Sequence, residues 1–138
     1  MSESRRIVMV RALEIAVGVR TDDLSHIFTE DVTAWSPNVI ATSLHELEVA
    51  FDDRNSALGN LGFAIRGLDV IDNKAFAEWV MEADHVGPLV IDDVRIEPTG
   101  QRLQLGGATV AEFDGYRIRA FRTYFDTVTL LEQMIDAG

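Results

Sequence analysis

The sequence predicts an α+β fold in which N-terminal helices cover one face of a strongly curved, mainly antiparallel sheet. Three observations lead there. Apolar residues recur at helical spacing through most of the stretch up to Leu58. From Gly62 to Phe125 the pattern switches to long strands. Those strands follow one another through short turns, which makes sequential neighbours antiparallel. The 138 residues fit a single domain, 1–138. A chain of that length buries roughly two-thirds of its unfolded surface, so it needs neither disulfide nor metal to hold a core.

Ile7, Val10, Leu13 and Val17 share one face of a first helix, with Gly18 near its end. Thr21 is placed to cap a second, shorter helix: Asp22 and Asp23 suit the positive end of its dipole, and Leu24, Ile27 and Phe28 form its buried stripe. Asp31 to Ser36 reads as a short strand broken by Pro37-Asn38. Ser43 and Glu46 have capping-box spacing and open a third helix, with Leu47, Ala50, Phe51 and Leu58 on one face and Gly59 as its stop. Phe63 to Ile71 and Ala75 to His85 form two strands joined at Asp72-Asn73, and a loop marked by Gly87, Pro88, Pro98 and Gly100 follows. Gln101 to Phe113 is a third long strand, in which Gly106-Gly107 predicts a bulge or bend. Asp114-Gly115 reads as a type I′ hairpin turn, and Tyr116 to Phe125 returns. Asp126 caps a last helix carrying Val128, Leu131 and Met134 or Ile135.

Charge narrows the partners. With 23 acids against 12 lysines and arginines, the formal net charge is −11. Such a surface repels phosphate backbones and anionic lipid, so neither nucleic acid nor membrane is expected as a partner. No apolar run approaches a membrane span. Arg5-Arg6 before Ile7-Val8-Met9-Val10 imitates a signal peptide, but Arg11 and Glu14 interrupt the run and no cleavage site follows. The absence of cysteine excludes thiol catalysis and fits a reducing, cytoplasmic setting. Phosphate-loop, Gly-x-Ser-x-Gly and His-Glu-x-x-His patterns are missing, so no cofactor is expected. His26, His45 and His85 offer no metal-ligand spacing.

A series of motifs in the second half has a familiar order: Glu78-Trp79, Asp84-His85-Val86-Gly87-Pro88, Pro98-Thr99-Gly100, Phe113-Asp114-Gly115 and Arg122-Thr123-Tyr124-Phe125-Asp126 before Leu130-Leu131-Glu132-Gln133-Met134. It resembles the SnoaL-like polyketide cyclases and the related limonene-epoxide hydrolases, both within the nuclear-transport-factor-2-like superfamily. The resemblance implies a cone (a cystatin-like α+β barrel) whose sheet wraps around the helices, with a cavity opening at one end and a homodimer formed through the outer sheet face. It also implies where the family's chemistry would sit. The key carboxylate falls at Thr123. The Arg and Asp of the epoxide hydrolases fall at Trp79 and Met81, and their water-holding Tyr and Asn near Ala34 and Ser36. The cyclases' Gln and His fall at Gly106 and Ala108. Each of these positions is neutral in this chain.

Alternation then selects the side chains expected to face the cavity. If Trp79 and Met81 point inwards, so does His85; if Thr123 does, so do Arg119, Phe121 and Phe125; Gln104 goes with Gly106; Ser36 and Asn38 line the mouth. Trp79, Met81, Phe121 and Phe125 serve equally as core. His85 is the best candidate for proton transfer, because imidazole titrates near neutrality, although a strand-end histidine bonded to loop backbone accounts for it as well. Arg119 is either a ligand for a carbonyl or carboxylate or half of a structural ion pair. Asp52-Asp53-Arg54 reads as a solvated helix face. Two functions stay open: an acid–base enzyme of the cyclase, isomerase or hydratase kind acting on a lipophilic small molecule, and a non-catalytic ligand-binding or dimerising module.

Overall fold

The computed structural model describes residues 2–19 and 23–135. Helix α1 spans Ser2–Ala16 and ends where glycine allows it: Gly18 takes φ +83°, its N–H bonds the Ile15 carbonyl and the Val19 N–H bonds the Glu14 carbonyl. The buried stripe is Met9, Ala12, Leu13 and Ala16, whereas Ile7 is exposed. The expected stripe is therefore turned part-way round, with Val10 and Val17 half-buried at its edge. The second helix is only a 3₁₀ turn, Leu24–His26, with the Asp23 carboxylate accepting from the Ser25 N–H at 2.9 Å. Thr21 and Asp22 lie outside the described residues. Ile27 and Phe28 are buried as expected, but Phe28 opens a strand.

Strand β1 (Phe28–Ser36) turns at Pro37-Asn38 into a short partner, β2 (Val39–Ala41). Helix α2 (Leu44–Asn55) starts at Ser43, whose hydroxyl accepts from the Glu46 N–H at 3.2 Å; the Glu46 carboxylate reaches the N–H of Thr42 rather than of Ser43. The helix stops before Leu58 and Gly59, which already belong to β3 (Leu58–Ile71). Asp72, at φ +54°, turns the chain into β4 (Lys74–His85). The loop after His85 contains a hairpin, β5 (Leu89–Ile91) and β6 (Val94–Ile96), joined by Asp92 and Asp93, both at positive φ. Strands β7 (Arg102–Asp114) and β8 (Arg117–Phe125) and helix α3 (Thr127–Ile135) complete the order. The β7–β8 loop is Gly115-Tyr116, one residue later than expected, and only Gly115 has positive φ. That is the type II′ demand, not type I′. Asp126 caps α3 through the N–H groups of Val128 and Thr129.

The main sheet runs β2-β1-β8-β7-β4-β3, with β1 and β8 parallel and every other pair antiparallel. Its curvature comes from bulges on β3, between Gly59 and Gly62 and between Ile65 and Gly67, and from one extra residue in β8, Arg119, opposite the Glu112/Phe113 step. The β4–β7 register has no shift from Lys74 to Asp84, so Gly106-Gly107 is not a bulge. Gly107 lies opposite Trp79, and a Cβ there would stand 2.4 Å from the indole ring. The missing side chain makes room for tryptophan. The inner face packs on α1 and α2, with Met9, Phe28, Leu47 and Phe121 at its centre. A second apolar cluster under α3 and the β5–β6 hairpin includes Leu89, Ile91, Leu130 and Met134.

Candidate functional site

Between the inner sheet face and the helices lies a cavity of about 70 Å³. That is several times the roughly 10–15 Å³ a single water needs, so it is a hollow rather than a packing gap. Leu13 and Ala16 of α1, Phe51 of α2, and Leu105 and Phe121 of the sheet supply apolar wall. Ser36 and Asn38 stand at its edge, where the Ser36 hydroxyl donates to Asn38 Oδ1 at 2.8 Å and fixes the turn between β1 and β2. Trp79, Met81, Phe121, Thr123 and Phe125 also line it, the first two from β4 and the others from β8. Alternation on two strands two places apart in the sheet order brings these rows onto one hollow.

One polar chain crosses the wall. The Trp79 indole N–H donates to Thr109 Oγ1 at 3.0 Å, and Thr109 Oγ1 lies 2.9 Å from Thr123 Oγ1. The indole occupies a lone pair of the Thr109 oxygen, and the hydroxyl's own proton has no other acceptor among the described residues than Thr123. Either hydroxyl can donate in the Thr109–Thr123 bond; when Thr109 donates, the Thr123 proton faces whatever fills the cavity. Thr109 is 1% exposed, so its polar atoms depend on these partners.

At the end of α2 the lining holds Arg54 and Asn55. The Arg54 guanidinium donates to the Ala16 carbonyl at the end of α1 and lies over the Phe51 ring, 5.3 Å from its centroid. No carboxylate pairs with it among the described residues. Burial pushes its pKa down to about 10, which leaves it cationic at neutral pH. Asn55 packs against Gly18, and its Oδ1 is buried without a partner. Arg54 is the single ionisable side chain of the lining among the described residues. It is not the solvated face expected of Asp52-Asp53-Arg54, although those two acids are exposed. Its spacing from Leu47 and Phe51 puts it on the buried stripe of α2, and that spacing was the available signal.

Three expected lining residues lie elsewhere. Arg119 is the extra residue of the β8 bulge, so the inward row passes from Ile118 to Phe121 and leaves Arg119 outside, 3.6 Å from Glu112. Gln104 is exposed on the outer face; its backbone N–H and carbonyl both bond the Gln133 side chain of α3. The inward row of β7 is Leu103, Leu105, Gly107 and Thr109, the opposite phase to Gln104, Gly106 and Ala108. His85 does sit on the inward row of β4, but beyond the cavity, fully buried under the loop from Gly87 to Gln101. Its Nδ1 accepts from the Thr99 N–H at 3.3 Å and lies 3.0 Å from Thr99 Oγ1, which puts the ring proton on Nε2. Burial lowers its pKa, with the Gly87 backbone acting the other way. No hydrogen bond reaches Nε2.

Comparison with known proteins follows the same lines. The model of the family described as SnoaL-like polyketide cyclase matches residues 7–134. TsrD from Streptomyces laurentii superposes with a TM-score of 0.81 at 18% identity, covering 97% of this chain and 96% of that one. A SnoaL-like polyketide cyclase from Agrobacterium tumefaciens str. C58 gives 0.71 at 16% identity, with 91% and 94% covered. An LEH-like epoxide hydrolase from M. tuberculosis gives 0.68 at 14%, with 99% and 92% covered. At these identities the likeness is one of fold. No curated protein matches the chain.

Proposed function

Because the chain belongs to the SnoaL-like polyketide cyclase family, we propose that it binds a lipophilic, carbonyl-bearing small molecule in the cone, with Thr123 as hydrogen-bond donor to the carbonyl. The observation that carries this is the polar chain Trp79–Thr109–Thr123, which brings a hydroxyl able to donate into a mostly apolar wall. A buried donor of that kind holds a carbonyl oxygen more firmly than water does, because nothing nearby competes for it.

Turnover of the cyclase, isomerase or hydratase kind is the second reading. It is favoured by the two donors in one cavity: the Thr123 hydroxyl and the Arg54 guanidinium both stabilise negative charge developing on oxygen, as in an enolate. Among the described residues neither carboxylate nor imidazole lines the cavity. The proton would leave to water. The proposal includes residues 1–138 acting as one domain, homodimerisation through the outer sheet face, where Phe76, Val80 and Tyr124 are exposed, and a cytoplasmic location, supported by the cysteine-free sequence.

Trp79 reports occupancy in a Trp35→Phe background, because both indoles line the cavity and Trp35 would otherwise contribute. Quenching of its fluorescence by 2-acetylnaphthalene and by 2-ethylnaphthalene separates the carbonyl from the ring. Thr123→Val should weaken the ketone roughly three- to tenfold and leave the hydrocarbon unchanged. Equal ketone affinity in the two proteins would remove Thr123 from the site, and Thr123→Ser should restore wild-type binding.

A further inference from the structure

We infer that the α2 end of the cavity is a recognition site for a carboxylate on the lipophilic ligand, with Arg54 as its cation. This deepens the binding function proposed above and rests on it. Three observations converge. The first is an uncompensated charge: Arg54 lines an apolar cavity and bonds a neutral carbonyl, that of Ala16, with no acid paired to it among the described residues. Arg54 is half-buried, and the Phe51 ring and the Ala16 carbonyl are its partners among the described residues; a cation so placed gains from an anion, and a ligand carboxylate supplies one. The second is donor supply. Guanidinium has five N–H donors in a planar fork, and the Ala16 carbonyl takes one group, leaving donors suited to a two-oxygen acceptor. The third is the neighbouring Asn55 Oδ1, buried and unpartnered on the same lining, which offers an acceptor to a hydroxyl beside the acid.

The structural explanation for Arg54 is incomplete. Capping the Ala16 carbonyl needs one donor, and the Gly18 and Val19 N–H groups already take the Ile15 and Glu14 carbonyls. Capping alone therefore does not account for a full charge at the cavity wall. The depressed pKa follows from the same burial and still leaves the group protonated at neutral pH.

The test compares benzoate and 2-naphthoate with their methyl esters by calorimetry and by tryptophan quenching in the Trp35→Phe full chain. In the native protein the acids should bind roughly ten- to a hundredfold more tightly than the esters. Arg54→Met should bring the ratio of acid to ester affinity to about one. Should that variant unfold, Asn55→Asp keeps the guanidinium and its bond to Ala16 but places a competing carboxylate in the site; it should weaken the acids and spare the esters. Equal binding of acids and esters by the native protein, or an acid preference that survives either variant, overturns the assignment of Arg54. Failure of all four compounds to bind overturns the cavity itself as a ligand site. Ester binding that is sensitive to Thr123→Val alongside an absent acid preference would sink the carboxylate site alone.

Discussion

Gly107→Ala probes the cavity wall at its tightest point. An added Cβ would lie 2.4 Å from Cζ2, 2.6 Å from Cη2 and 3.0 Å from Cε2 of Trp79. The ring must retreat by about 1 Å to reach ordinary contact, and a rigid β4–β7 register gives the backbone little freedom to absorb it. A displacement of that size breaks the 3.0 Å bond from the indole to Thr109. Overpacking costs about 1–3 kcal/mol and an unpaired buried donor about 1–3 kcal/mol. The two are coupled, so a joint loss of about 2–4 kcal/mol is expected, or a fall in melting temperature of roughly 10 °C for a domain of this size. Thermal unfolding followed by circular dichroism measures it. In a Trp79→Leu background the same change should cost less than about 1 kcal/mol, since the indole is gone. A neutral or stabilising Gly107→Ala in the native background would show that Trp79 does not lie against Gly107, and the geometry of the hollow would fall with it.

Thr109→Val should destabilise by about 1–3 kcal/mol in urea denaturation, because it strands the indole N–H and removes the hydroxyl that partners Thr123; a loss under about 0.5 kcal/mol would contradict the chain. His85 gives a pH signature. Its folded pKa lies below 6.5, so the unfolded chain binds the extra proton and stability is full above pH about 6.5, falling as pH drops from there to the lowered value. His85→Gln should flatten that window in pH-dependent melting. It should not touch the separate loss at lower pH, where Asp84, Glu112 and Asp126, whose pKa values are all lowered by hydrogen bonds, take up protons. Arg119→Ala should leave binding of 2-acetylnaphthalene unchanged within about twofold, since the bulge turns that side chain outwards; a tenfold loss would return it to the site.

The fold was legible in the sequence because its signals are local and redundant. Strand alternation, the Ser43 and Asp126 caps and the turn at Asp72-Asn73 each mark an element without reference to anything distant. The β5–β6 hairpin was hidden because its turn is Asp92-Asp93 rather than a glycine pair, and three-residue strands carry too little alternation to stand out. The site was half legible. Alternation placed Trp79, Met81, Thr123 and Phe125 on the hollow, since β4 is unbroken and β8 is regular beyond its bulge. It misplaced Arg119 because one inserted residue inverts the phase and leaves no mark in the sequence. Gln104 failed for a different reason: its phase came from positions 106 and 108, although Thr109, Ala111 and Phe113 already showed a buried row of odd numbers. Arg54 was passed over because two exposed aspartates precede it, while its own register follows Leu47 and Phe51.

The most direct test watches the hollow itself. With the methyl groups of Val80, Met81 and Thr123 labelled with carbon-13, titration with 2-acetylnaphthalene should give intermolecular nuclear Overhauser contacts from the ligand to Met81 and Thr123, with Val80 unaffected on the opposite face. Contacts to Val80 and not to Met81 or Thr123 would place the ligand on the outside of the sheet, and the cone would hold no binding site.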